Sequence, residues 1–153
     1  MAEKLYLCIS WKSYINKMSK RIEYKTIHDF GRDELERLFL SVEWSSGHYP
    51  DKLVEAMKNY EAVYSAWDGD RLVGMICTMD DGVMTAYVHY LLVDPAYQGR
   101  GIGRRLVEMT KEKYKDYLRI ALVAYEDGIH FYESLGFKRS DHGFPMYITD
   151  LWT

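Results

Sequence analysis

The sequence predicts an α+β fold with a mixed, mostly antiparallel central sheet of about six to seven strands, flanked by helices and containing one parallel βαβ unit. Two observations predict it. Short runs that are apolar, or that alternate apolar and polar residues, are separated by Asp/Gly turns typical of hairpins. Late in the chain, one strand instead leads through a glycine-rich turn and a long helix to the next apolar run, an order that requires a parallel crossover.

Composition and charge limit the classes of protein to which this chain can belong. The 153 residues are 48% hydrophobic and 28% charged, which is ordinary for one globular domain. A net charge of −3 excludes a strongly basic body that binds nucleic acid by bulk charge. No apolar run approaches the ~20 residues of a membrane span. Cys8 and Cys77 lie far apart and the histidines are scattered, so we expect no disulfide scaffold, no metal site and a cytoplasmic location.

Residues 1–20 differ from the rest of the chain. An alternating run over 5–9 suits a short strand, and the residues after it are rich in basic side chains. We interpret 1–20 as a leader segment that is not a signal peptide, and 21–153 as a single domain.

The first part of the domain contains a strand, two helices and an antiparallel meander. Alternation predicts a strand over 22–27, and apolar residues at helical spacing predict a helix over 33–42. Pro50 begins a second helix, since proline is tolerated in a first turn. The turns 68–70 and 80–82 predict hairpins between the next three strands. The predicted strands are 22–27, 62–67, 72–77, 85–93, 119–124 and 146–152.

The second part of the domain contains the crossover. The strand 85–93 runs through the glycine-rich turn into a helix with a regular apolar stripe. The continuous apolar run 119–124 predicts a buried strand parallel to it. A short helix over 128–135 ends at Gly136, the residue type that favours a helix C-terminus.

The turn between strand and helix carries the chemistry. Three glycines within 99–103 remove side chains, so backbone N–H groups can approach a ligand closely. They lie at a helix start, where the first N–H groups have no intrahelical partner and the dipole is positive. Arg100, Arg104 and Arg105 add charge, and the turn predicts a site for a phosphate or pyrophosphate. The alternative is a turn that needs glycine only for its left-handed backbone, with the arginines facing solvent.

Two nucleotide-binding motifs do not fit this turn. A Walker loop ends in Gly-Lys-Ser/Thr, whereas this turn ends in Gly103-Arg104-Arg105. A dinucleotide-binding Rossmann unit places its glycines after the first strand, whereas this turn comes late and follows hairpins.

Two short motifs follow one another in this part of the chain. The first is Gln98-Gly99-Arg100-Gly101-Ile102-Gly103, preceded by Leu91-Leu92-Val93-Asp94-Pro95. The second, beyond the helix and the apolar strand, is His130-Phe131-Tyr132-Glu133-Ser134-Leu135-Gly136-Phe137. Together they resemble the GNAT superfamily of acyl-CoA-dependent N-acetyltransferases, whose signature is Q/R-x-x-G-x-G/A and whose late motif is Phe-Tyr-x-x-x-Gly-Phe. The resemblance covers about 21–153 and makes the expected fold GNAT-like.

The resemblance implies that acetyl-CoA is the co-substrate and that no metal takes part. The pyrophosphate of acetyl-CoA is expected to bind the backbone N–H groups from Gly99 to Arg104. The pantetheine arm of acetyl-CoA is expected to lie where the strand before the turn splays from its parallel neighbour. Backbone groups of Leu91 and Val93 hold the arm and the thioester carbonyl. Tyr125 stands near the position where the family often has an Asn that contacts the arm. The implied coenzyme-binding residues are Leu91, Leu92, Val93, Gln98, Gly99, Arg100, Gly101, Ile102, Gly103, Arg104 and Tyr125.

Two side chains are candidates for moving protons. Tyr132 matches the family's general acid, and the alternative is a core tyrosine with a satisfied hydroxyl. His89 lies by period two on the same face as Leu91 and Val93, and an imidazole accepts an ammonium proton near neutral pH. Its strand is similar to that of the arylalkylamine N-acetyltransferase branch, and Tyr87 takes the place of the catalytic Glu of the histone-acetylating branch. We consider three alternatives for His89: it acts as the base, it anchors a chain of water molecules, or it is a packed residue of the strand.

The acceptor is expected to contact two loops. The loop 42–49 offers Trp44 and Tyr49 as an aromatic wall and Glu43 as a partner for a cation, and the loop 141–145 offers Phe144. The alternative is that these aromatic residues anchor a loop or form a dimer contact.

The sequence thus predicts an enzyme that moves an acetyl group from acetyl-CoA to a primary amine by direct attack in a ternary complex. Cys8 and Cys77 are poorly placed as nucleophiles, which favours direct attack over an acyl-enzyme. A small-molecule amine is favoured as the acceptor, and a homodimer is a further expectation. The alternatives are an acyl-CoA-binding regulatory domain with little catalysis and a protein or peptide N-acetyltransferase.

Overall fold

A computed structural model describes residues 21–149. The predicted leader 1–20, with its alternating run over 5–9, and positions 150–152 of the last predicted strand lie outside the described residues. The helices and strands are β1 (Glu23–Thr26), α1 (Arg32–Ser41), α2 (Pro50–Asn59), β2 (Ala62–Asp68), β3 (Arg71–Asp80), β4 (Thr85–Val93), α3 (Ile102–Lys113), β5 (Arg119–Leu122) and α4 (Ile129–Glu133). Short 3₁₀ turns are formed by Ser45–His48, Pro95–Tyr97 and Glu126–Gly128.

The strands form one sheet in the order β1-β2-β3-β4-β5. Neighbouring strands pair antiparallel from β1 to β4, whereas β4 and β5 run parallel. The crossover between these two strands is α3. The predicted α+β class, the mostly antiparallel mixed sheet and the parallel βαβ unit are therefore confirmed.

The described residues, 21–149, form fewer strands than the sequence predicts for the whole chain. The described residues form a 5-stranded sheet, against an expectation of about six to seven strands. The described part of the predicted strand 146–152 is not in the sheet, and Met146 and Ile148 are exposed. The predicted strand 119–124 ends at Leu122 and is not buried, since its residues alternate between exposed and half-buried. It forms an edge of the sheet, so its continuous apolar run does not mark burial on both faces.

Helices cover both faces of the sheet. On one face, α1 and α2 pack Leu35, Leu38, Phe39, Leu53 and Met57 against side chains of the strands. On the other face, α3 packs Ile102, Leu106 and Val107 against side chains of the strands. Burial of one such side chain stabilises the fold by roughly 1.5–3 kcal/mol. The helical spacing predicted from the sequence is what turns these side chains toward the sheet.

A β-bulge interrupts β4. Cys77 pairs with Tyr90 while Thr78, the next residue of β3, pairs with Val88. His89 is therefore the extra residue of β4. Consecutive residues of a regular strand point to opposite faces, yet the rings of His89 and Tyr90 stack with their centroids 4.1 Å apart. The bulge thus turns both rings to the same face.

The bulge corrects one sequence prediction. His89 lies beside Tyr60 and Tyr90, which belong to the core under α1 and α2. Leu91 and Val93 instead pack against the core under α3. The prediction that His89 shares a face with Leu91 and Val93 is wrong, because one inserted residue shifts the two-residue period of the strand.

A close approach at Gly74 positions the start of α3. A Cβ added to Gly74 would lie 3.2 Å from Ile102 Cγ2 and 3.2 Å from the carbonyl oxygen of Leu92. A side chain at this position would therefore push the helix away from the sheet. Glycine lets the first turn of α3 rest over the carboxyl end of β4, beside the glycine-rich turn.

Candidate active site

A cleft opens where β4 and β5 part. The two strands pair only from Thr85 with Arg119 to Val88 with Leu122, although β4 continues to Val93. The cleft has a volume of about 1000 Å³ and is lined by β4, the glycine-rich turn, the segment after β5, and α4. The parting of the two strands agrees with what the family resemblance implies.

The edge of β4 that faces the cleft carries backbone groups that the sheet does not use. The N–H of Asp94 donates to the carbonyl of Val73 on β3 at 2.8 Å, and successive residues of a strand direct their N–H and C=O groups to alternate edges. Leu91 and Val93 therefore direct theirs toward the cleft. The carbonyl of Val93 accepts a hydrogen bond from Gln98 Nε2 at 3.0 Å, which ties the turn to the end of the strand.

The glycine-rich turn presents free backbone donors. Gly99 and Gly101 have φ angles of 75° and 80°, a conformation that glycine adopts readily. A Cβ added to either would meet no atom within 4 Å, so the space in front of this backbone is open. The first bond within α3 runs from Arg105 N–H to the Gly101 carbonyl at 3.0 Å, and no side chain caps the helix. The N–H groups of 102–104 have no partner within the helix and suit an anion.

Asp94 anchors the junction between β4 and the turn. Its carboxylate accepts a hydrogen bond from the Ala96 N–H at 3.0 Å and forms ion pairs with Arg71 at 2.9 Å and Arg37 at 3.4 Å. Burial alone would raise the pKa of Asp94. The hydrogen bonds from Arg71 and Ala96 and the charges of the two arginines outweigh burial, and the pKa lies below its usual value.

Asp94→Asn is expected to lower the free energy of unfolding by about 2 kcal/mol at neutral pH, because Arg71 and Arg37 lose their counter-charge. Both arginines are partly exposed and can rehydrate, which keeps the loss moderate. A carboxyl whose pKa is lowered by folding stabilises the fold above its unfolded pKa, and this contribution is lost as the pH falls through the folded pKa. Urea unfolding at neutral pH and at about pH 3 should show the difference shrinking in acid, and a constant difference would contradict the ion-pair role.

His89 lies in the cleft wall among aromatic rings. Its Nδ1 shares a hydrogen bond with Tyr60 Oη at 2.5 Å, its ring stacks on Tyr90, and the ring of Tyr87 lies 6.2 Å away. The side chain is exposed to the cleft, yet its neighbours partly desolvate it, and this desolvation lowers the pKa of His89. The imidazole is therefore neutral at pH 7, and Nε2 is the ring nitrogen left for a ligand.

Tyr132 is held on α4 by ring contacts. Its ring meets those of Phe131 and Phe137 edge-on, with centroids 5.1 Å and 5.7 Å apart. Within residues 21–149, no other group forms a hydrogen bond with its hydroxyl. Burial raises the pKa of Tyr132 to about 12, so the phenol keeps its proton at neutral pH.

Contacts between α3 and α4 bring the two sequence motifs together. Arg104 donates to Ser134 Oγ at 3.3 Å. A Cβ added to Gly103 would lie 3.3 Å from Phe131 Cζ, so this glycine lets the ring approach the turn. The glycine-rich turn and Tyr132 of the second motif therefore line one cleft.

The structure brings most of the predicted site residues to this cleft. Those that line it are Glu43, Trp44, His89, Leu91, Leu92, Val93, Gln98, Gly99, Gly101, Ile102, Gly103, Arg104, Tyr125 and Tyr132. Arg100, Tyr49 and Phe144 are not among the lining residues. Arg100 donates to the carbonyl of Ala96 at 3.1 Å, Tyr49 lies against Lys52, and Phe144 is exposed. The roles of all these residues stay predictions.

Sequence reasoning misses two residues of the site. Tyr60 reaches His89 from the end of α2, 29 positions away along the chain, and no local pattern marks it, since the contact depends on the bulge and on helix packing. Tyr147 lines the cleft, and its position next to the predicted acceptor loop 141–145 is the signal that could have found it.

Other features of the described part bear on the chemistry. Cys77 is buried, and burial raises the pKa of its thiol, which makes it a poor nucleophile. Among residues 21–149, no group of three or more His, Cys, Asp or Glu side chains could hold a metal ion. The helices described here are each too short or too polar to cross a membrane.

The fold and the cleft are those of an acetyltransferase: a parallel strand pair that opens beside a phosphate-type turn, with a tyrosine on the helix that follows. Residues 59–139 match the family description "Acetyltransferase (GNAT) domain". The chain belongs to the GNAT family of acetyltransferases, as the two sequence motifs predict.

Individual relatives agree with this assignment. Histone acetyltransferase TAP1 of Glycine max is 36% identical over 75 residues, which are 48% of this chain and 32% of that protein, so the match spans about a third of the relative. An uncharacterized ycf52-like N-acetyltransferase of Prochlorococcus marinus is 32% identical over 117 residues, 72% of this chain and 64% of the relative. A solved GNAT-family acetyltransferase of Streptococcus pneumoniae superposes with a TM-score of 0.73 at 27% identity, over 85% of this chain and 99% of the other.

Proposed function

We propose that the protein transfers the acetyl group of acetyl-CoA to a primary amine, with a small molecule favoured, by direct attack in a ternary complex. The observation that carries the proposal is that the open turn, the unused edge of β4 and Tyr132 line one cleft. These features supply what acyl transfer from a coenzyme thioester requires, namely a phosphate site, hydrogen bonds for the carbonyl, and an acid. The burial of Cys77 supports direct transfer over an acyl-enzyme.

The residues of the cleft fit acetyl-CoA. The N–H groups of 102–104 and the Arg104 side chain hold the pyrophosphate at the helix start. The backbone groups of Leu91 and the N–H of Val93, at the edge of β4 that β5 leaves unpaired, pair with the pantetheine arm much as a neighbouring strand would. When bound, acetyl-CoA supplies an activated thioester. The cleft volume of about 1000 Å³ is at the upper end of the usual range for ligand sites.

Two side chains of the protein move the protons. His89 is neutral at pH 7 because desolvation lowers its pKa. In the tautomer whose Nδ1–H donates to Tyr60 Oη, Nε2 is unprotonated and accepts a proton from the attacking ammonium, directly or through one water. Tyr132, whose pKa is raised to about 12, donates its proton to the sulfur as the thiolate leaves. The amine nitrogen loses a second proton as the amide forms, and this proton restores Tyr132, directly or through water. His89 releases its own proton to solvent, which returns both side chains to their starting state.

A small acceptor is favoured by the wall of the cleft near His89. Glu43 and Trp44 line this region, and the Trp44 ring lies 5.7 Å from that of Tyr90. The loop after α1 therefore brings an acidic and an aromatic side chain to the cleft, which suit a small amine that carries a positive charge. Acetylation of a protein is the second candidate, and the name of the Glycine max relative, a histone acetyltransferase, supports it.

Release of free CoA thiol from acetyl-CoA tests the proposal. The acceptors are benzylamine, spermidine, an aminoglycoside and a lysine-containing histone peptide, and mass spectrometry identifies each acetylated product. Faster turnover with a small amine than with the peptide supports the proposed class. Turnover with the peptide alone supports protein acetylation. Binding of acetyl-CoA without turnover of any acceptor would point to a regulatory coenzyme-binding domain.

His89→Gln is expected to lower kcat about 100-fold at neutral pH, because the amide cannot take the ammonium proton. In the unsubstituted protein, activity should fall as the pH drops through the lowered pKa of His89, since the base becomes protonated. That acid limb should disappear from the pH–rate profile of the variant. His130→Gln is the control, because the His130 side chain is 97% exposed. An unchanged acid limb in His89→Gln would remove His89 from the mechanism.

A further inference from the structure

We infer that Glu43 recognises the acceptor as a cation, binding the ammonium group of the primary amine in the corner of the cleft beside Trp44. The inference rests on the proposed function and assigns the side chain that binds the protonated acceptor. It makes Glu43 a specificity-determining residue. Two features of Glu43 support it: its unfavourable position at the end of α1, and its surroundings.

The backbone of Glu43 adopts a conformation that favours glycine. Its φ is 60°, and among residues 21–149 it alone combines a positive φ with a side chain. It follows the end of α1, where its N–H donates to the Leu40 carbonyl at 3.0 Å and the Trp44 N–H donates to the Phe39 carbonyl at 3.1 Å. This pair of bonds is the Schellman motif, whose left-handed position is usually glycine. Residues kept in such strained conformations cluster at functional sites.

The charge of Glu43 is also unfavourable at this position. The C-terminus of a helix carries partial negative charge, so a cationic side chain is stabilising there and a carboxylate is not. The last turn of α1 contains no basic residue. Glu43 is exposed and forms no ion pair with any described residue. A bound cation would pair with the carboxylate and with the negative end of the helix together, whereas no basic side chain among residues 21–149 pairs with Glu43.

The surroundings of Glu43 suit an organic ammonium ion. Glu43 and Trp44 both line the cleft. The Trp44 ring lies 5.7 Å from Tyr90, and Tyr90 stacks on His89. An ammonium held by the carboxylate would lie in the same cleft as the Trp44 ring, and aromatic rings attract cations. His89, which is proposed to take its proton, lines that cleft as well. At the turn, by contrast, the lining contains the cationic Arg104, and a second carboxylate, Asp127, lines the cleft just before α4.

The test compares two acceptors of similar shape at saturating acetyl-CoA. Benzylamine is an ammonium ion at pH 7, and aniline is a neutral amine. Glu43→Gln keeps the size of the side chain and removes its charge. The substitution is therefore expected to raise KM for benzylamine about tenfold. KM for aniline is expected to change less than about twofold. Glu55→Gln is the matched control, because Glu55 pairs with Lys58 on an exposed part of α2 and does not line the cleft. Equal changes in the two KM values, or no change in either, would overturn the inference.

Glu43→Gly separates recognition from folding. Glycine relieves the left-handed strain, so the melting temperature should rise by ~2 °C, while KM for benzylamine should rise as it does in Glu43→Gln. If Glu43 had only a structural role, its replacement by glycine would not raise the stability of the protein and weaken binding of the cationic substrate at the same time. A lower melting temperature together with an unchanged KM would show that Glu43 serves the fold.

A binding measurement keeps the inference distinct from the proposed reaction. If neither amine is acetylated, the reaction fails for these acceptors, and tryptophan fluorescence then follows the titration of the acetyl-CoA complex with benzylammonium chloride. Weaker binding to Glu43→Gln than to the unsubstituted protein would uphold cation recognition without catalysis. Equal binding, or none to either protein, would overturn it.

Discussion

Replacing Tyr132 by phenylalanine is expected to lower kcat by a factor of about 10²–10³, while acetyl-CoA binds as tightly as before. The substitution removes the hydroxyl alone. The ring contacts with Phe131 and Phe137 are kept, and no described group loses a hydrogen bond. The loss should therefore fall on the step in which the thiolate leaves. Stopped-flow measurement of thiol release and calorimetric titration with acetyl-CoA measure the two quantities separately.

The pH dependence gives a second criterion. Because the pKa of Tyr132 is raised to about 12, the phenol stays protonated across the ordinary assay range and its ionisation imposes no basic limb there. The pH–rate profiles of the two proteins should consequently be parallel and displaced by a constant factor. Tyr64→Phe is the control, since Tyr64 is half-buried on β2 and does not line the cleft. A variant that keeps full kcat would exclude Tyr132 as the acid.

The parts of the molecule that are encoded locally could be predicted from the sequence. The left-handed glycines of the turn, the helix start after them, and the tyrosine motif each depend on residues close together in the chain. Their meeting in one cleft follows from the crossover that joins β4 to β5. The predicted phosphate-type turn and the predicted acid therefore line the same space, although their roles stay predictions.

The parts that depend on contacts distant in sequence could not be predicted. A bulge appears only when two strands are aligned, so nothing within β4 shows that His89 faces Tyr60 and Tyr90. The apolar run at β5 has the composition of a buried strand, yet it lies at an edge, because the order of strands is a property of the whole sheet. The left-handed backbone of Glu43 is also hidden, since the helix end that imposes it is normally marked by a glycine.

Gly101→Glu is expected to weaken acetyl-CoA binding about 100-fold or more. Gly101 precedes the first turn of α3 with a φ of 80°, and a side chain here would enter open space. The new carboxylate can bind the free N–H groups of the helix start in place of the pyrophosphate, and it repels the phosphate charge. Calorimetric titration with acetyl-CoA measures the loss. Affinity close to that of the unsubstituted protein would place the anion site elsewhere.

Two glutamine variants separate strain from binding. Gly82, in the hairpin between β3 and β4, has a φ of 82°, and a Cβ there would also meet no atom within 4 Å. Gly101→Gln and Gly82→Gln should therefore lose similar stability, about 1 kcal/mol each. Only Gly101→Gln should weaken acetyl-CoA binding, by about tenfold, and less than Gly101→Glu because it adds no charge. If Gly82→Gln weakens binding equally, the effect comes from destabilising the fold. If the two Gly101 variants bind equally, the side chain acts by its bulk and the charge of the turn is not what the coenzyme recognises.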